Sequence, residues 1–571
     1  MSEETYYQEI IQIILKNKPD KEALVKLKVE KLKDHGLKRT PTDIQILMNT
    51  PKEQIDQIKP IILTKPTRSL SGVSVIAVMS APRMCPHGRC IYCPGGPNSK
   101  LGNVPQSYTG KEPSTMRAIR NNYDSYLITM NRLEQYVVTG HPFDKIEVII
   151  QGGTFPSYDK EYKDDFVRGI FKALNDFGEM FFENDEFNLL KFKEYFELPG
   201  IVTNQERTKR IQGKLLEKKN EKRNNTKTTV EEEIAKNETA KICCVGLTIE
   251  TRSDHGKREA GNDMLRLGAT RVELGIQSVY EEVIDFIGRK HTVQDNIDSI
   301  RDLKDLGFKI NMHYMPGLPK TTKEKDLAGL KQLFTDPDYK PDMLKVYPCL
   351  VFKGTVLYNM MKKGEFTPLS TEEAAELIAE FKKYVPTYCR IMRVNRDIPS
   401  YVNDGGVDKT NLRQYITKIM KERNIVCHCI RCREIGRAED LEQETEKPKI
   451  TVMEYEASKG KEFFIAYETT KHILGFARLR FPSQILRKEI TPTTALIREL
   501  HVYGQAIEIG KDAAFDKTQH KGVGKQLMLK AEEIAKQHKK DKIVVISGVG
   551  VREYYHKLGY KNDGPYVSKS V

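Results

Sequence analysis

The sequence predicts an α/β protein made of an incomplete (β/α)6 barrel, a smaller C-terminal α/β domain and a helical, basic N-terminal region. Six apolar, β-branched runs alternate with helical patterns between residues 71 and 365, which is typical of a parallel βα array. A second alternation of strand and helix patterns begins near residue 450. Apolar residues at helical spacing, with lysines between them, occupy residues 1–70.

Length and composition indicate several globular domains. The chain has 571 residues, more than one hydrophobic core holds, with 39% hydrophobic and 30% charged residues. The expected parts are a basic N-terminal region at 1–70, the barrel at 71–365 with a basic insertion near 203–240, a linker at 366–449 and the C-terminal domain at 450–571. The first residues lack the features of a signal peptide and no apolar run is long enough to span a bilayer, so we expect a cytoplasmic protein without membrane contacts.

The net charge of +14 favours a polyanionic partner if the basic residues are grouped. Two groups stand out, one in residues 21–39 and one in the insertion at 208–223. Each has two interpretations, a solvated helical face or a surface that contacts RNA phosphates.

The barrel is predicted from six strands, and the carboxyl ends of such strands carry the active site. The six are Val73–Met79, Ile146–Ile150, Cys244–Ile249, Val272–Ile276, Ile310–Met315 and Leu344–Pro348. Chemically distinctive residues follow the first five: the loop with Cys85, Cys90 and Cys93, then Gly152–Phe155, Glu250–Arg252, Gln277–Ser278 and Pro316–Pro319.

The three cysteines of the first loop lie within nine residues. Three thiolates cannot fill the four iron corners of a [4Fe–4S] cluster, so one iron would stay open for a non-protein ligand. The loop is therefore a candidate site for a cluster that acts on a bound molecule.

A second cysteine group, Cys427, Cys429 and Cys432, has the spacing of a tetrahedral zinc site that needs one more ligand. Cys389 is the first choice for that ligand, and Cys349 and His428 are alternatives. Buried cysteines without a metal are the simpler interpretation, but three thiols within six residues favour a structural zinc.

In the C-terminal domain, Gly522 and Gly524 open a helix where backbone N–H groups can approach a pyrophosphate. Two glycines alone are weak evidence. Their place between a strand and the later Tyr554–Tyr560 segment indicates a coenzyme A site.

Together these motifs resemble two enzyme families joined in one chain. The barrel resembles the TIM-like partial barrel of radical S-adenosylmethionine (SAM) enzymes, and the last part resembles the GNAT acetyltransferases. Their order, with Gly-Gly-Thr-Phe155, Leu-Thr-Ile-Glu-Thr-Arg252 and Arg-Glu-Leu-His-Val-Tyr-Gly504, is similar to the family of Elongator catalytic subunits, which modify the wobble uridine of tRNA.

The resemblance implies site residues by position. Cys85, Cys90 and Cys93 would hold the cluster. The positions implied to contact SAM are Gly152, Gly153, Thr154, Glu250, Arg252 and Gln277. Those implied to bind acetyl-CoA are Lys145, Glu499, Leu500, His501, Val502, Gln519, Gly522, Val523 and Gly524. Tyr554 and Tyr555 would face the thioester sulfur, while His291 has no assigned role.

The implied chemistry joins the acetyl methyl carbon to uracil C5, two carbons that react poorly by polar routes at neutral pH. A 5′-deoxyadenosyl radical from SAM would remove a hydrogen from the methyl group, the resulting carbon would add to C5, and coenzyme A would leave. The cofactors would be the cluster, SAM and zinc. The partners would be a tRNA anticodon stem-loop, acetyl-CoA and other Elongator-type subunits.

Two other functions compete with this one. A lysine N-acetyltransferase with a structural Fe–S barrel would need no SAM, and a non-catalytic RNA-binding scaffold would cleave none. If the insertion contacts tRNA, neutralising Lys218, Lys219, Lys222 and Arg223 together should weaken binding and its salt dependence.

Overall fold

The computed structural model describes residues 3–37, 39–63, 71–200, 204–221, 226–437, 446–503 and 522–571. Its strands are β1 Ser74–Met79, β2 Gly96–Ser99, β3 Gly102–Val104, β4 Lys145–Gln151, β5 Phe182–Glu183, β6 Glu186–Phe187, β7 Cys243–Thr251, β8 Arg271–Gln277, β9 Lys309–Tyr314, β10 Met343–Val346, β11 Arg390–Arg393, β12 Lys449–Ala457, β13 Gly460–Glu468, β14 Ile473–Phe481, β15 Thr494–Val502, β16 Lys542–Val545, β17 Lys561–Asp563 and β18 Tyr566–Ser570.

Its α-helices are α1 Glu3–Asn17, α2 Lys21–Asp34, α3 Asp43–Asn49, α4 Ile55–Ile62, α5 Pro113–Arg120, α6 Ser125–Val138, α7 Lys160–Phe181, α8 Leu189–Tyr195, α9 Gln205–Asn220, α10 Val230–Asn237, α11 Arg258–Arg266, α12 Glu281–Phe286, α13 Val293–Asp305, α14 Lys323–Thr335, α15 Val356–Lys362, α16 Thr371–Phe381, α17 Leu412–Glu422, α18 Ile430–Arg433, α19 Val523–Gln537 and α20 Arg552–His556. Among the described helices, none has the length and apolar character needed to cross a bilayer.

The predicted fold class is confirmed, with one additional strand. The barrel sheet is parallel and has the order β1-β4-β7-β8-β9-β10-β11. Its seventh strand, β11, lies within the segment predicted to be a linker. It is only four residues long, and its pairing with β10 extends the sheet past the predicted six. The linker boundary at 366 is therefore wrong, because α16 and β11 continue the barrel.

The C-terminal domain has a second seven-stranded sheet, in the order β12-β13-β14-β15-β16-β18-β17. Strands β12 to β15 are antiparallel neighbours, while β15 and β16 run parallel at their first residues and diverge at the β15 end. Helix α19 packs its apolar face, including Leu527 and Ala531, against this sheet. The edge of β15 and the first turn of α19 thereby lie close together.

The C-terminal domain sits on the amino ends of the barrel strands. At Gly548 a Cβ atom would lie 2.1 Å from the carbonyl oxygen of Val245, and at Gly550 one would lie 2.6 Å from Cys243 Cβ. Only glycine permits such a close approach. The opposite ends of the strands, where the active site is expected, point away from this domain.

Buried ion pairs join the two domains. Arg498 donates to both carboxylate oxygens of Asp342, at 2.6 and 2.8 Å, and Arg480 donates to Asp305 at 2.7 Å. All four side chains are 0% exposed. Burial alone would raise the pKa of Asp342, but the facing Arg498 and Arg478 outweigh it and lower that pKa, so the pairs stay ionised.

Candidate active site

The cysteine loop meets the end of β4. The Thr154 hydroxyl lies 3.5 Å from Cys85 Sγ, and a Cβ atom at Gly153 would lie 3.9 Å from the same sulfur. The backbone N–H of Cys85 donates to Gln106 Oε1. The cysteine loop after the first barrel strand and the Gly152–Phe155 segment after the second are thus in contact.

The three sulfurs of this loop do not converge on a single point. Among the described residues, two groups of three possible ligands have their donor atoms within 4.8 Å of one another, and neither contains Cys85, Cys90 or Cys93. Ser107 donates its backbone N–H to Cys93 Sγ at 3.1 Å. Sulfurs spaced in this way suit the separate irons of a cubane better than one metal ion.

Buried nitrogen atoms without partners surround this loop. Among the described residues, those without a hydrogen-bond partner include His87 Nδ1, the guanidinium donors Arg252 Nη1 and Arg289 Nε, and both ring nitrogens of His291. Arg252 also donates to the backbone carbonyl of Arg289 at 2.7 Å, which fixes the Arg252 guanidinium beside that residue. Buried donors are normally satisfied. An anionic cluster with a carboxylate-bearing ligand such as SAM would supply the missing acceptors, so the residues fit that group.

The glycines predicted to face SAM adopt conformations that favour glycine. Gly152 has φ +109° and Gly153 has φ +59°. A Cβ atom at Gly152 would lie 2.5 Å from Ser80 Oγ. Glycine is therefore favoured here by the backbone conformation and, at Gly152, also by the close approach of Ser80.

The other implied SAM contacts separate into two places. Arg252 forms a bidentate pair with Asp254, at 2.9 and 2.8 Å, beside Arg289. Gln277, at the end of β8, has φ +65°. Glu250 instead accepts a hydrogen bond from the Tyr108 hydroxyl at 2.8 Å and points into the barrel interior.

Beneath the rim lies a polar group that sequence reasoning did not include, which we call the lumen site: Glu273, His313 and Lys345. Glu273 Oε2 lies 2.8 Å from His313 Nε2 and accepts a hydrogen bond from Lys345. These residues come from β8, β9 and β10, so their convergence requires the concave face of the sheet. The sequence carried one signal for this group: Glu273 and Lys345 are charged residues within two predicted strands that are otherwise apolar.

The second cysteine group is confirmed as a cluster of thiols. Cys427, Cys429 and Cys432 have sulfurs within 4.8 Å of one another. Hydrogen bonds from Cys427 and Cys432 lower the pKa of Cys429, which favours one thiolate. Cys389 is fully buried, but the structure does not bring its sulfur into this group, so the first choice for a fourth ligand is not supported.

The structure assembles part of the predicted acetyl-CoA site. Gly522 has φ +71° at the start of α19, and a Cβ atom at Gly524 would lie 2.5 Å from the Tyr554 hydroxyl. Tyr554 is 39% exposed, whereas Tyr555 is buried in the core against Tyr560. Gln519 lies outside the described residues.

The strand residues of that site have mixed surroundings. Leu500, His501 and Val502 end β15, and the His501 ring stacks on Phe476 at 5.9 Å. Burial lowers the pKa of His501, which favours the neutral imidazole. Glu499 forms an ion pair with Arg478, whose Nε donates to it at 2.9 Å.

Lys145 and the insertion lie apart from the cysteine loop. Lys145 begins β4 and pairs in register with Cys243, at the barrel end that meets the C-terminal domain. In the insertion, Lys219 pairs with Asp124 at 2.6 Å and Lys218 with Glu221 at 2.5 Å. Lys222 and Arg223 lie outside the described residues. The two described lysines are thus engaged within the protein.

Sequence comparisons define the class of protein. Residues 214–329 match the radical SAM superfamily, 341–422 the radical SAM C-terminal domain, and 430–560 the acetyltransferase (GNAT) family. Residues 4–70 match the ELP3 N-terminal domain. The chain is therefore a radical SAM enzyme with a GNAT domain.

Full-length relatives define the family. The tRNA uridine(34) acetyltransferase of Methanocaldococcus jannaschii is 43% identical, over 96% of this chain and 94% of its own. Elongator complex protein 3 of Saccharomyces cerevisiae is 38% identical, over 94% and 90%. The solved structure of Methanocaldococcus infernus Elp3 with an N-terminal deletion superposes with a TM-score of 0.70 at 38% identity, over 88% of this chain and all of that one. The chain belongs to the Elp3 family, which confirms the resemblance.

Proposed function

We propose that this protein modifies the wobble uridine of tRNA, using acetyl-CoA and SAM to attach a carboxymethyl-type group at uracil C5. The single observation that carries the proposal is the ring of unpaired buried donors around Cys85, Cys90 and Cys93. These donors are explained by an anionic cluster with SAM, and a plain acetyltransferase would have no use for them.

The chain's own residues would perform four tasks at the barrel rim. The three cysteines would hold the [4Fe–4S] cluster, which when bound supplies the electron that cleaves SAM. Arg252, together with Arg289, would bind a carboxylate. Gly152 and Gly153 would leave backbone groups open to the cofactor. His87, 3.2 Å from Cys90 Sγ, would cover that sulfur.

The GNAT domain would bind acetyl-CoA. The backbone at the start of α19 would face the pyrophosphate, since the Gly522 N-cap leaves the first N–H groups unobstructed. Tyr554 would lie over that helix start, near the thioester. Burial raises the pKa of Tyr554, so its hydroxyl would act as a hydrogen-bond donor.

The roles of the second cysteine group and of the N-terminal helices are also proposals. The thiols of Cys427, Cys429 and Cys432 fit a soft ion such as zinc, which would stabilise the segment between the two domains. The basic N-terminal helices would contact tRNA phosphates. Association with other Elongator-type subunits and a cytoplasmic location belong to this proposal, because the substrate is tRNA.

One experiment tests the proposal. The anaerobically reconstituted protein is incubated with dithionite, SAM, acetyl-CoA and tRNA, and the products are analysed by mass spectrometry. We expect 5′-deoxyadenosine and a modified uridine. If neither forms while the cluster is intact, the proposal is wrong.

A parallel reaction with a lysine peptide and acetyl-CoA, without SAM, separates the competing functions. A lysine N-acetyltransferase would acetylate a peptide without SAM. An RNA-binding scaffold would bind tRNA and form neither product.

A further inference from the structure

The lumen site, Glu273, His313 and Lys345, lies next to the cysteine loop but belongs to none of the proposed cofactor contacts. Ser107 donates to Cys93 Sγ, and the adjacent Tyr108 donates to Glu250. The Lys345 ammonium lies 3.9 Å from Glu250 Oε1. Residues 107 and 108 therefore connect the loop to Glu250, which borders the lumen site.

Charge at this site is held in place by its partners. Burial would lower the pKa of Lys345, but Glu273, with Glu250 near it, outweighs that effect and raises it. Burial would raise the pKa of Glu273, but Lys345 and His313 keep it well below its usual range. Lys345 and Glu273 are therefore both charged at neutral pH.

The Lys345 ammonium has N–H groups that are not used in hydrogen bonds to residues of the described ranges. Within the described part of the chain, hydrogen bonds use one of the three N–H groups of Lys345. The side chain of Glu273 is 1% exposed, while those of His313 and Glu250 are 15% and 16% exposed. Glu273 is also fixed from behind by Asn311, which donates to it at 3.1 Å. The buried carboxylate thus holds in place a cation, 8% exposed, two of whose N–H groups make no hydrogen bond to the described residues.

We propose that the lumen site binds a carbonyl oxygen of the substrate through the Lys345 ammonium, with Glu273 as the positioning residue. This inference rests on the proposed function, in which both substrates carry such an oxygen. One is the thioester carbonyl of acetyl-CoA, and the other is the C4 carbonyl of uracil. Either would be held beneath the cysteine loop.

The test removes the buried cation and anion together, as Lys345→Met with Glu273→Gln, so that no lone charge is left in the barrel. A matched control is Lys163→Met with Asp263→Asn, an ion pair of 2.6 Å on the outer helices. Reconstituted enzymes are compared for their affinity for acetyl-CoA and S-ethyl-CoA, which lacks the carbonyl. They are also compared for anticodon stem-loops with uridine or cytidine at position 34, since cytosine has an amino group at C4.

We expect the wild type and the control to prefer the carbonyl ligand, and the lumen variant to lose about tenfold of that preference in one comparison. If the preference for acetyl-CoA over S-ethyl-CoA is lost, the bound oxygen is that of the thioester. If the preference for uridine over cytidine is lost, it is the C4 oxygen of uracil. Unchanged preferences in both comparisons, with an unfolding midpoint like that of the control, overturn the inference. If wild-type enzyme binds neither substrate, the proposed function itself is wrong, which is a distinguishable result.

Discussion

At the scale of single residues, two thiols of the cysteine loop, Cys85 and Cys93, resist ionisation. Burial raises the pKa of Cys85, and it raises the pKa of Cys93 to about 11. These groups are protonated at neutral pH in the metal-free protein, so binding of a cluster must release protons. Ligation and not local charge therefore produces the thiolates.

Replacing Cys90 tests the cluster directly. We expect Cys90→Ala to lose bound iron and the visible absorbance of the cluster after reconstitution. The control is Cys349→Ala, which removes a buried thiol from the same apolar group of residues. Iron content is measured per chain. Equal iron in both variants would contradict the assignment.

Replacing Gly152 tests the tight turn at the end of β4. Gly152→Ala would place a Cβ atom 2.5 Å from Ser80 Oγ at φ +109°. We expect a loss of about 1–3 kcal/mol in the free energy of unfolding and weaker SAM binding. Gly213→Ala, in α9 with nothing within 4 Å of the new Cβ atom, should instead be neutral or stabilising. Calorimetric SAM titration and thermal unfolding measure both, and a Gly152→Ala variant with unchanged SAM affinity would refute the proposed contact.

At the scale of elements, a single carboxyl joins α14 to the loop after β9. Asp326 accepts hydrogen bonds from the N–H of Gly317, at 2.6 Å, and from the Thr321 hydroxyl, at 3.1 Å. Its other oxygen, Oδ1, is buried without a partner among the described residues. Burial raises the pKa of Asp326 to about 6. Folding therefore favours the protonated form.

This shift predicts a pH dependence of stability. Because the folded pKa is above the unfolded one, the stabilising contribution is complete below about pH 4 and is lost as the pH rises through about 6. Asp326→Asn should flatten the decline in the free energy of unfolding over that interval, by about 3 kcal/mol at most.

Urea unfolding between pH 4 and 7 measures the effect, with the exposed Glu372→Gln as the control. A slope in Asp326→Asn equal to that of wild type would show that this carboxyl does not titrate in the range.

At the scale of the whole molecule, buried charges fix the GNAT domain against the barrel. Arg498 and Arg480 reach out of the C-terminal sheet to Asp342 and Asp305 of the barrel, and Glu462 accepts from both arginines. Such a network adds little stability over an apolar contact of the same shape, but breaking it leaves a buried charge unpaired. It therefore favours one relative position of the two domains.

Removing one arginine tests this coupling. Arg498→Met should cost about 3–5 kcal/mol and should split unfolding into separate transitions for the two domains. Arg210→Met removes a surface arginine that pairs with Glu197 at 2.8 Å, and it should cost less than about 1 kcal/mol. Scanning calorimetry and limited proteolysis detect the difference. Similar effects for the two variants would show that the interface does not depend on Arg498.

Local patterns were sufficient for much of the fold and for the cysteines. β-Branched runs predicted six of seven barrel strands, because buried parallel strands are apolar over their whole length. A short strand at Arg390–Val394 was predicted but placed in the linker, because four residues, two of them arginine, do not show which sheet they join. The close spacing of three cysteines indicated a [4Fe–4S] cluster with one open iron, because three ligands cannot fill its four iron corners.

The sequence by itself determined the class of chemistry, since cysteine spacing, glycine turns and the order of two domains are all local along the chain. Only the tertiary structure decided which side chains meet. It joined Glu273, His313 and Lys345 from three strands, left Cys389 outside the second cysteine group and paired Lys219 with Asp124. These contacts depend on the curvature of a sheet and on residues far apart in the chain, and no local pattern encodes either one.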